Sequence, residues 1–185
     1  MAVAGWVLGL VSIACLGGGL VHLARVVVVR SRIPGELCHA AMAVGMAAMF
    51  SPLGDPLPRP VWTVVFALGL VWFGAGAVRG RTLAGDAGHH AVGCAAMLLM
   101  LAAGHGAHGR GAAGALGVAS VAALALTGYF AWHALRCADR CRRADLGPGA
   151  APATLRTHPL ADPRLAAGGQ LVTAAAMSVM LLGMV

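Results

Sequence analysis

The chain has 185 residues, of which 59% are hydrophobic and only 10% are charged, and its formal net charge is +7. Soluble domains carry about 25% charged residues, so this composition excludes an ordinary soluble globular protein. The thirteen positive residues are all Arg and lie mostly between apolar blocks. The basic charge therefore indicates membrane topology and not nucleic-acid binding.

The apolar residues fall into six blocks, and a membrane-spanning helix needs about 20 such residues. The blocks cover approximately 2–24, 36–53, 60–78, 88–104, 114–135 and 166–185. The sequence contains none of the short alternating segments of a β-barrel. It therefore predicts an all-α integral membrane protein, in which residues 1–185 form one bundle of six transmembrane helices.

The Arg residues between the blocks predict the orientation of these helices. Eleven of them lie in the loops after blocks one, three and five, and two lie in the other loops. Positive loops stay in the cytoplasm, so both termini are predicted to lie outside the inner (plasma) membrane. The connection 136–165 is predicted to be a long cytoplasmic loop, which its four prolines make irregular.

The second block carries one His and three Met on a single helical face. His39, Met42, Met46 and Met49 follow one another at steps of three, four and three. On an α-helix they span about 15 Å, roughly half of the hydrocarbon layer. Thioether and imidazole groups suit copper, whereas Mg²⁺ and Ca²⁺ need oxygen ligands that these blocks almost entirely lack. The alternative is that Met only fills the core.

With the predicted orientation, the His residues of four blocks share one depth near the cytoplasmic interface. The Met residues of blocks two, four and six lie farther outward, and Cys94 shares a helical face with His90 and Met97. Together these side chains are the candidate metal ligands. They are His39, Met42, Met46, Met49, His89, His90, Cys94, Met97, His22 and His133.

Several of these polar and sulfur residues also have ordinary interpretations. His22 and His133 lie at predicted helix ends, where the headgroup region hydrates an imidazole. The Met residues of the last block, Met177, Met180 and Met184, are expected to pack. The pair Cys137 and Cys141 lies in an Arg-rich stretch and is predicted to be a reduced, solvated helix end.

Four features of the sequence together resemble a known family. They are the His39-to-Met49 pattern, Trp62 after the prolines that follow it, the His89-His90 pair and the Met-rich final block. They resemble a small actinobacterial membrane family that is catalogued as a domain of unknown function. The resemblance covers nearly the whole chain. It implies six helices and a role for the second-block motif and for His89 or His90, and it implies no reaction.

Three functions remain open on the sequence. The first is copper binding, as a conduit or at a fixed site, with His105 and His108 of the outer loop either solvated or admitting the metal. The second is a b-type haem that carries electrons, with His39 and either His89 or His90 as axial ligands. The third is a structural subunit without metal that associates with itself or with a membrane partner. Because no nucleophile elbow, P-loop or dinucleotide fingerprint is present, the sequence assigns no enzyme activity.

Overall fold

The computed structural model describes residues 2–30, 33–51, 57–81, 85–103, 117–146, 160, 162–183 and 185. Within these ranges the chain has six α-helices and no strand, so the all-α prediction is confirmed. The helices are α1 (Ala2–Val29), α2 (Ile33–Phe50), α3 (Arg59–Arg79), α4 (Asp86–Ala103), α5 (Val118–Leu146) and α6 (Pro163–Leu182).

Five of the helices, α1, α2, α3, α5 and α6, are long and apolar enough to cross a membrane. In the described part of the chain α4 is not among them, and its first turns carry Asp86, His89 and His90. Large apolar side chains such as Trp6, Leu68 and Trp132 are exposed on the outside of the bundle. Such faces are compatible with contact to lipid.

The fifth helix differs from the prediction at its carboxyl end. It continues through Arg136 and Cys137 to Leu146, so the predicted loop 136–165 begins about ten residues too early. The cause is that apolar character ends at Leu135, while Arg, Ala and Leu, all good helix formers, continue the helix. The last helix begins at Pro163, where the side chain of Asp162 accepts a hydrogen bond from the backbone N–H of Arg164 at 2.9 Å.

Consecutive helices pack as pairs, α1 with α2, α3 with α4, and α5 with α6. In the first pair the Oγ of Ser12 donates to the carbonyl of Ala47 at 2.7 Å, and His22 contacts Glu36. These contacts fall in opposite order along the two helices, so α1 and α2 are antiparallel. Small residues let such backbones approach closely without a hydrophobic driving force between the helices.

The α2 and α4 helices meet in the centre of the bundle, where Met side chains interlock with glycines. A Cβ at Gly93 of α4 would lie 2.6 Å from the Sδ of Met42, and a Cβ at Gly45 of α2 would lie 2.9 Å from the Cε of Met97. Each helix thus places a thioether against a glycine of the other. Met46, Met97 and Met100 are almost completely buried there and are called the methionine layer below.

Candidate functional site

Five imidazoles from four helices lie together at the end of the bundle where α2 and α4 begin. The ring of His39 lies 4.9 Å from that of His22, 4.6 Å from that of His90 and 5.9 Å from that of His89, between centroids. His133 of α5 stacks on His89 with centroids 3.8 Å apart. These five residues are called the histidine layer below. The same five residues were predicted from the sequence to lie at one depth in the membrane.

A buried ion network holds His22 in place. The Nδ1 of His22 lies 2.6 Å from the Oε2 of Glu36, and the Nε of Arg25 donates to the other carboxylate oxygen at 3.1 Å. The guanidinium also donates to the backbone carbonyls of Leu160 and Asp162, which precede α6. His22 is completely buried, so hydration at a helix end, its ordinary interpretation, is wrong.

His90 is held through one ring nitrogen and leaves the other without a partner. Its Nδ1–H donates to the backbone carbonyl of Asp86 at 2.5 Å, one turn earlier in α4, and the ring stacks on Phe73 of α3. Its Nε2 is buried and has no hydrogen-bond partner within the part of the chain that the structure describes. Metal-binding His residues are typically oriented in this way, by donating the second ring N–H to a carbonyl or carboxylate.

A small cavity lies beside His39, between α2, α4, α5 and α6. Its volume is about 10 Å³, which is close to the space that one water molecule occupies. Its lining contains two imidazoles, two thioethers, one amide and one hydroxyl. The lining residues are His39, Met42, His89, Phe130, Gln170, Thr173, Ala174 and Met177.

Polar contacts fix the two imidazoles that line the cavity. The side-chain amide of Gln170 lies 3.3 Å from the Nε2 of His39, and the hydroxyl of Tyr129 lies 3.1 Å from the Nδ1 of His89. Among the residues that the structure describes, the buried Nδ1 of His39 has no hydrogen-bond partner. A buried polar atom without a partner is rare in proteins and calls for an explanation such as a ligand or an ordered water.

The predicted Met ligands divide between two environments. Met42 lines the cavity, Met46 and Met97 belong to the methionine layer, and Met49 is only half-buried at the end of α2. In α6, Met177 lines the cavity and Met180 does not. The structural positions of Met184, His105 and His108 lie outside the described residues.

The cysteines form contacts that their spacing in the sequence did not indicate. The Sγ of Cys94 lies 3.7 Å from the Sγ of Cys38 of α2. Cys137 is completely buried, with its Sγ 3.9 Å from the Oε1 of Gln170, so its predicted solvation is wrong. It is buried because α5 continues as a helix along α6. The side chain of Cys141 lies outside the described residues.

In the described ranges, no three His, Cys, Asp or Glu side chains are arranged to hold one metal ion. The histidine layer therefore does not by itself form a conventional site of three imidazoles.

Residues 31–184 of the chain match the model of the family that is described as Domain of unknown function (DUF5134). The chain belongs to this family. No curated protein and no solved structure gives a significant match. The DUF5134 match includes α2 to α6 and the whole cavity lining, whereas α1, with His22 and Arg25, precedes it.

Four polar residues of this DUF5134 chain lie beside the histidine layer and were not predicted from the sequence. Gln170 and Thr173 line the cavity, Glu36 binds His22, and Tyr129 contacts His89. The available signal was their polarity, because the blocks around them are almost entirely apolar. Met177 was expected only to pack, and its place beside Gln170 and Thr173 could not be inferred from the Met spacing alone.

Proposed function

We propose that the protein is a multi-pass membrane protein that binds a soft monovalent cation, Cu(I), in the cavity beside His39. The observation that carries this proposal is the lining of the cavity, where His39 and His89 face Met42 and Met177. Imidazole and thioether are ligands that copper accepts. Four helices contribute to the lining, so the site depends on the complete bundle.

The chemistry of the lining favours a soft ion over a hard one. The described residues that line the cavity include no carboxylate, and Mg²⁺ or Ca²⁺ would need several oxygen ligands. Thioethers carry no charge, so they can surround a monovalent cation without adding buried negative charge. The Nδ1 of His39, which has no hydrogen-bond partner among the described residues, would bind the ion in the tautomer that carries its proton on Nε2, and the amide oxygen of Gln170 would then accept that proton's hydrogen bond.

The size of the cavity favours a single ion over a haem. A volume of about 10 Å³ accommodates roughly one water-sized sphere, and a macrocycle needs a cleft many times larger. Haem between His39 and His89 would require the four surrounding helices to separate. The packing-subunit hypothesis leaves the polar lining and the unpartnered imidazole nitrogen without a role.

We further propose six membrane spans, with the histidine layer on the cytoplasmic side and both termini outside. The eleven Arg residues in three alternate loops support this orientation. With this orientation the methionine layer lies outward of the cavity, along α2 and α4. It would supply thioethers in series, as a conduit for Cu(I) needs, or support a fixed site.

The test compares two Met substitutions in the same helix. Met177→Leu removes a thioether that lines the cavity, and Met180→Leu removes one that does not. Both proteins are purified in detergent from copper-fed cells, and bound copper is measured by mass spectrometry. We expect copper in the native protein and in Met180→Leu, and loss of copper from Met177→Leu and from His39→Ala.

Two results would contradict the proposal. One is native protein without copper, after purification from copper-fed cells and after loading with Cu(I) under reducing conditions. The other is equal copper in Met177→Leu, His39→Ala and the native protein. A visible absorption spectrum of the same sample tests the alternative, because a Soret band together with bound iron would identify the bound group as haem and not copper.

A further inference from the structure

A buried pair of thiols lies between α2 and α4, on the side of these helices that faces α3. The Sγ atoms of Cys38 and Cys94 are 3.7 Å apart, and both side chains are buried. Neither residue lines the cavity beside His39. The pair is therefore a feature that the proposed cavity site does not use.

The separation of the two sulfur atoms suits two ligands of one metal ion. Metal–thiolate bonds are about 2.3 Å long, so two of them at a tetrahedral angle place the sulfurs about 3.8 Å apart. Thiolates are soft ligands and select Cu(I) among the available metals. The spacing thus corresponds to a metal-bound pair with little movement of either helix.

The surroundings of the pair leave room for the sulfur atoms and supply further donors. A Cβ at Gly69 of α3 would lie 2.8 Å from the Sγ of Cys94, so the glycine makes space for this thiol. Met42 lies one turn after Cys38 on α2, and its Sδ rests against Gly93, which precedes Cys94. Met42 therefore lines the cavity and shares a face of α2 with Cys38.

A second buried nitrogen that could bind a metal lies one helical turn before Cys94, and among the described residues it has no hydrogen-bond partner. The unpartnered Nε2 of His90 faces α2 at Gly35, where a Cβ would lie 3.4 Å from it. His90 precedes Cys94 by four residues and Gly35 precedes Cys38 by three, so all four share the contact between α2 and α4. His90 is more than nine-tenths buried, which makes the unused nitrogen costly without a ligand.

We propose that Cys38 and Cys94 form a second Cu(I) site, whose ligands include both sulfur atoms. Each sulfur that binds as a thiolate exchanges its S–H bond for an S–Cu bond and releases one proton to water. Copper stays monovalent and no electron is transferred. This site does not rest on the cavity site.

The experiment titrates Cu(I) into reduced, detergent-purified protein against a colorimetric Cu(I) chelator. It records the stoichiometry and the ultraviolet thiolate-to-copper charge-transfer band. Cys38→Ser and Cys94→Ser should each lower the stoichiometry by one and abolish the band. Cys15→Ser is the matched control, because Cys15 is also a buried thiol but has no such sulfur neighbour among the described contacts. It should behave like the native protein.

The two sites are separated by a second set of variants. Met177→Leu should lose the cavity ion and keep the charge-transfer band, so failure of the cavity proposal leaves the thiol proposal standing. Gly69→Ala keeps both thiols but pushes on the Sγ of Cys94, and we expect it to weaken Cu(I) binding at the pair about tenfold.

The proposal is overturned if native, reduced protein shows no thiolate-to-copper band, a measurement that needs no variant. It is equally overturned if Cys38→Ser and Cys94→Ser elute as native-like particles in size-exclusion chromatography and bind as much Cu(I) as Cys15→Ser. In that case the two thiols only pack against each other.

Discussion

The histidine layer and the methionine layer are built from the same helices in opposite ways. In the histidine layer polar contacts join different helices, as Glu36 joins His22 and Gln170 joins His39. In the methionine layer contacts are apolar, and flexible thioethers fill spaces that glycines leave open. Directional polar contacts thus hold the histidine layer together, whereas close packing of side chains holds the methionine layer together.

This difference predicts how each region tolerates substitution. A hydrogen-bonded charge in a buried network cannot relax when its partner is removed, and the cost is the desolvation of what remains. A Met side chain has three rotatable bonds and adapts to a changed neighbour. Substitutions should therefore cost more in the histidine layer than in the methionine layer.

The largest effect is expected for Glu36→Ala. It leaves the buried guanidinium of Arg25 and the ring of His22 without their carboxylate, at a cost of about 3 kcal/mol. Thermal unfolding in detergent measures it. Asp139→Ala, which removes an exposed carboxylate of α5, should cost less than about 1 kcal/mol. Equal losses in both variants would show that the network adds no stability.

A smaller loss is expected for Gly169→Ala in α6. The new Cβ would lie 2.9 Å from the Nε2 of His22, a rigid ring that Glu36 already holds. Overpacking of this kind costs about 2 kcal/mol. Gly168→Ala is the control, because nothing lies within 4 Å of a Cβ there, and it should be neutral or slightly stabilising. A native melting temperature for Gly169→Ala would refute the close packing of α6 on His22.

Gly93→Ala should cost less than Gly169→Ala, although its new Cβ would lie only 2.6 Å from the Sδ of Met42. The thioether can rotate away, so we expect a loss of about 1 kcal/mol. Because that rotation moves Met42, copper in the cavity should fall as well. Gly74→Ala, with open space around its Cβ, is expected to change neither quantity. A larger loss than in Gly169→Ala would show that a thioether does not adapt to a new Cβ more easily than a rigid imidazole ring.

The smallest effect on stability is expected for Met46→Leu in the methionine layer. The substitution conserves volume at a buried position and should cost less than about 1 kcal/mol. Copper held at equilibrium should remain, because Met46 does not line the cavity. If the layer is a conduit, uptake of Cu(I) into proteoliposomes will be slower. Unchanged uptake, with Met177→Leu inactive, would leave a fixed site as the function.

The proximity of the five imidazoles was predictable because it depends on few quantities. The length of each apolar block predicts where a helix ends, and the Arg residues in the loops predict the direction in which it crosses the membrane. Together these two predictions place His22, His39 and His89 at one end of the bundle. Membership of a family of unknown function was also predicted, from the resemblance of four sequence features that lie along nearly the whole chain. Both inferences use features that survive errors of a few residues.

The partners within the layer were not predictable, because they depend on the rotation of each helix about its axis. Hydrophobic periodicity is weak when a helix is apolar on all sides, so the face that turns inward is not marked. That is why Met177 was assigned to packing and why the contact between Cys38 and Cys94 was not foreseen. Cys137 was misplaced for a different reason, since the end of apolar character was taken as the end of α5.

The pairing of consecutive helices has a consequence for biogenesis. Each of the three pairs of consecutive helices can leave the insertion machinery as a hairpin. The cavity, however, takes His39 and Met42 from the first pair, His89 from the second and Met177 from the third. A nascent chain that ends before α6 has no such cavity. The cavity can therefore form only after the third helix pair has packed against the first two.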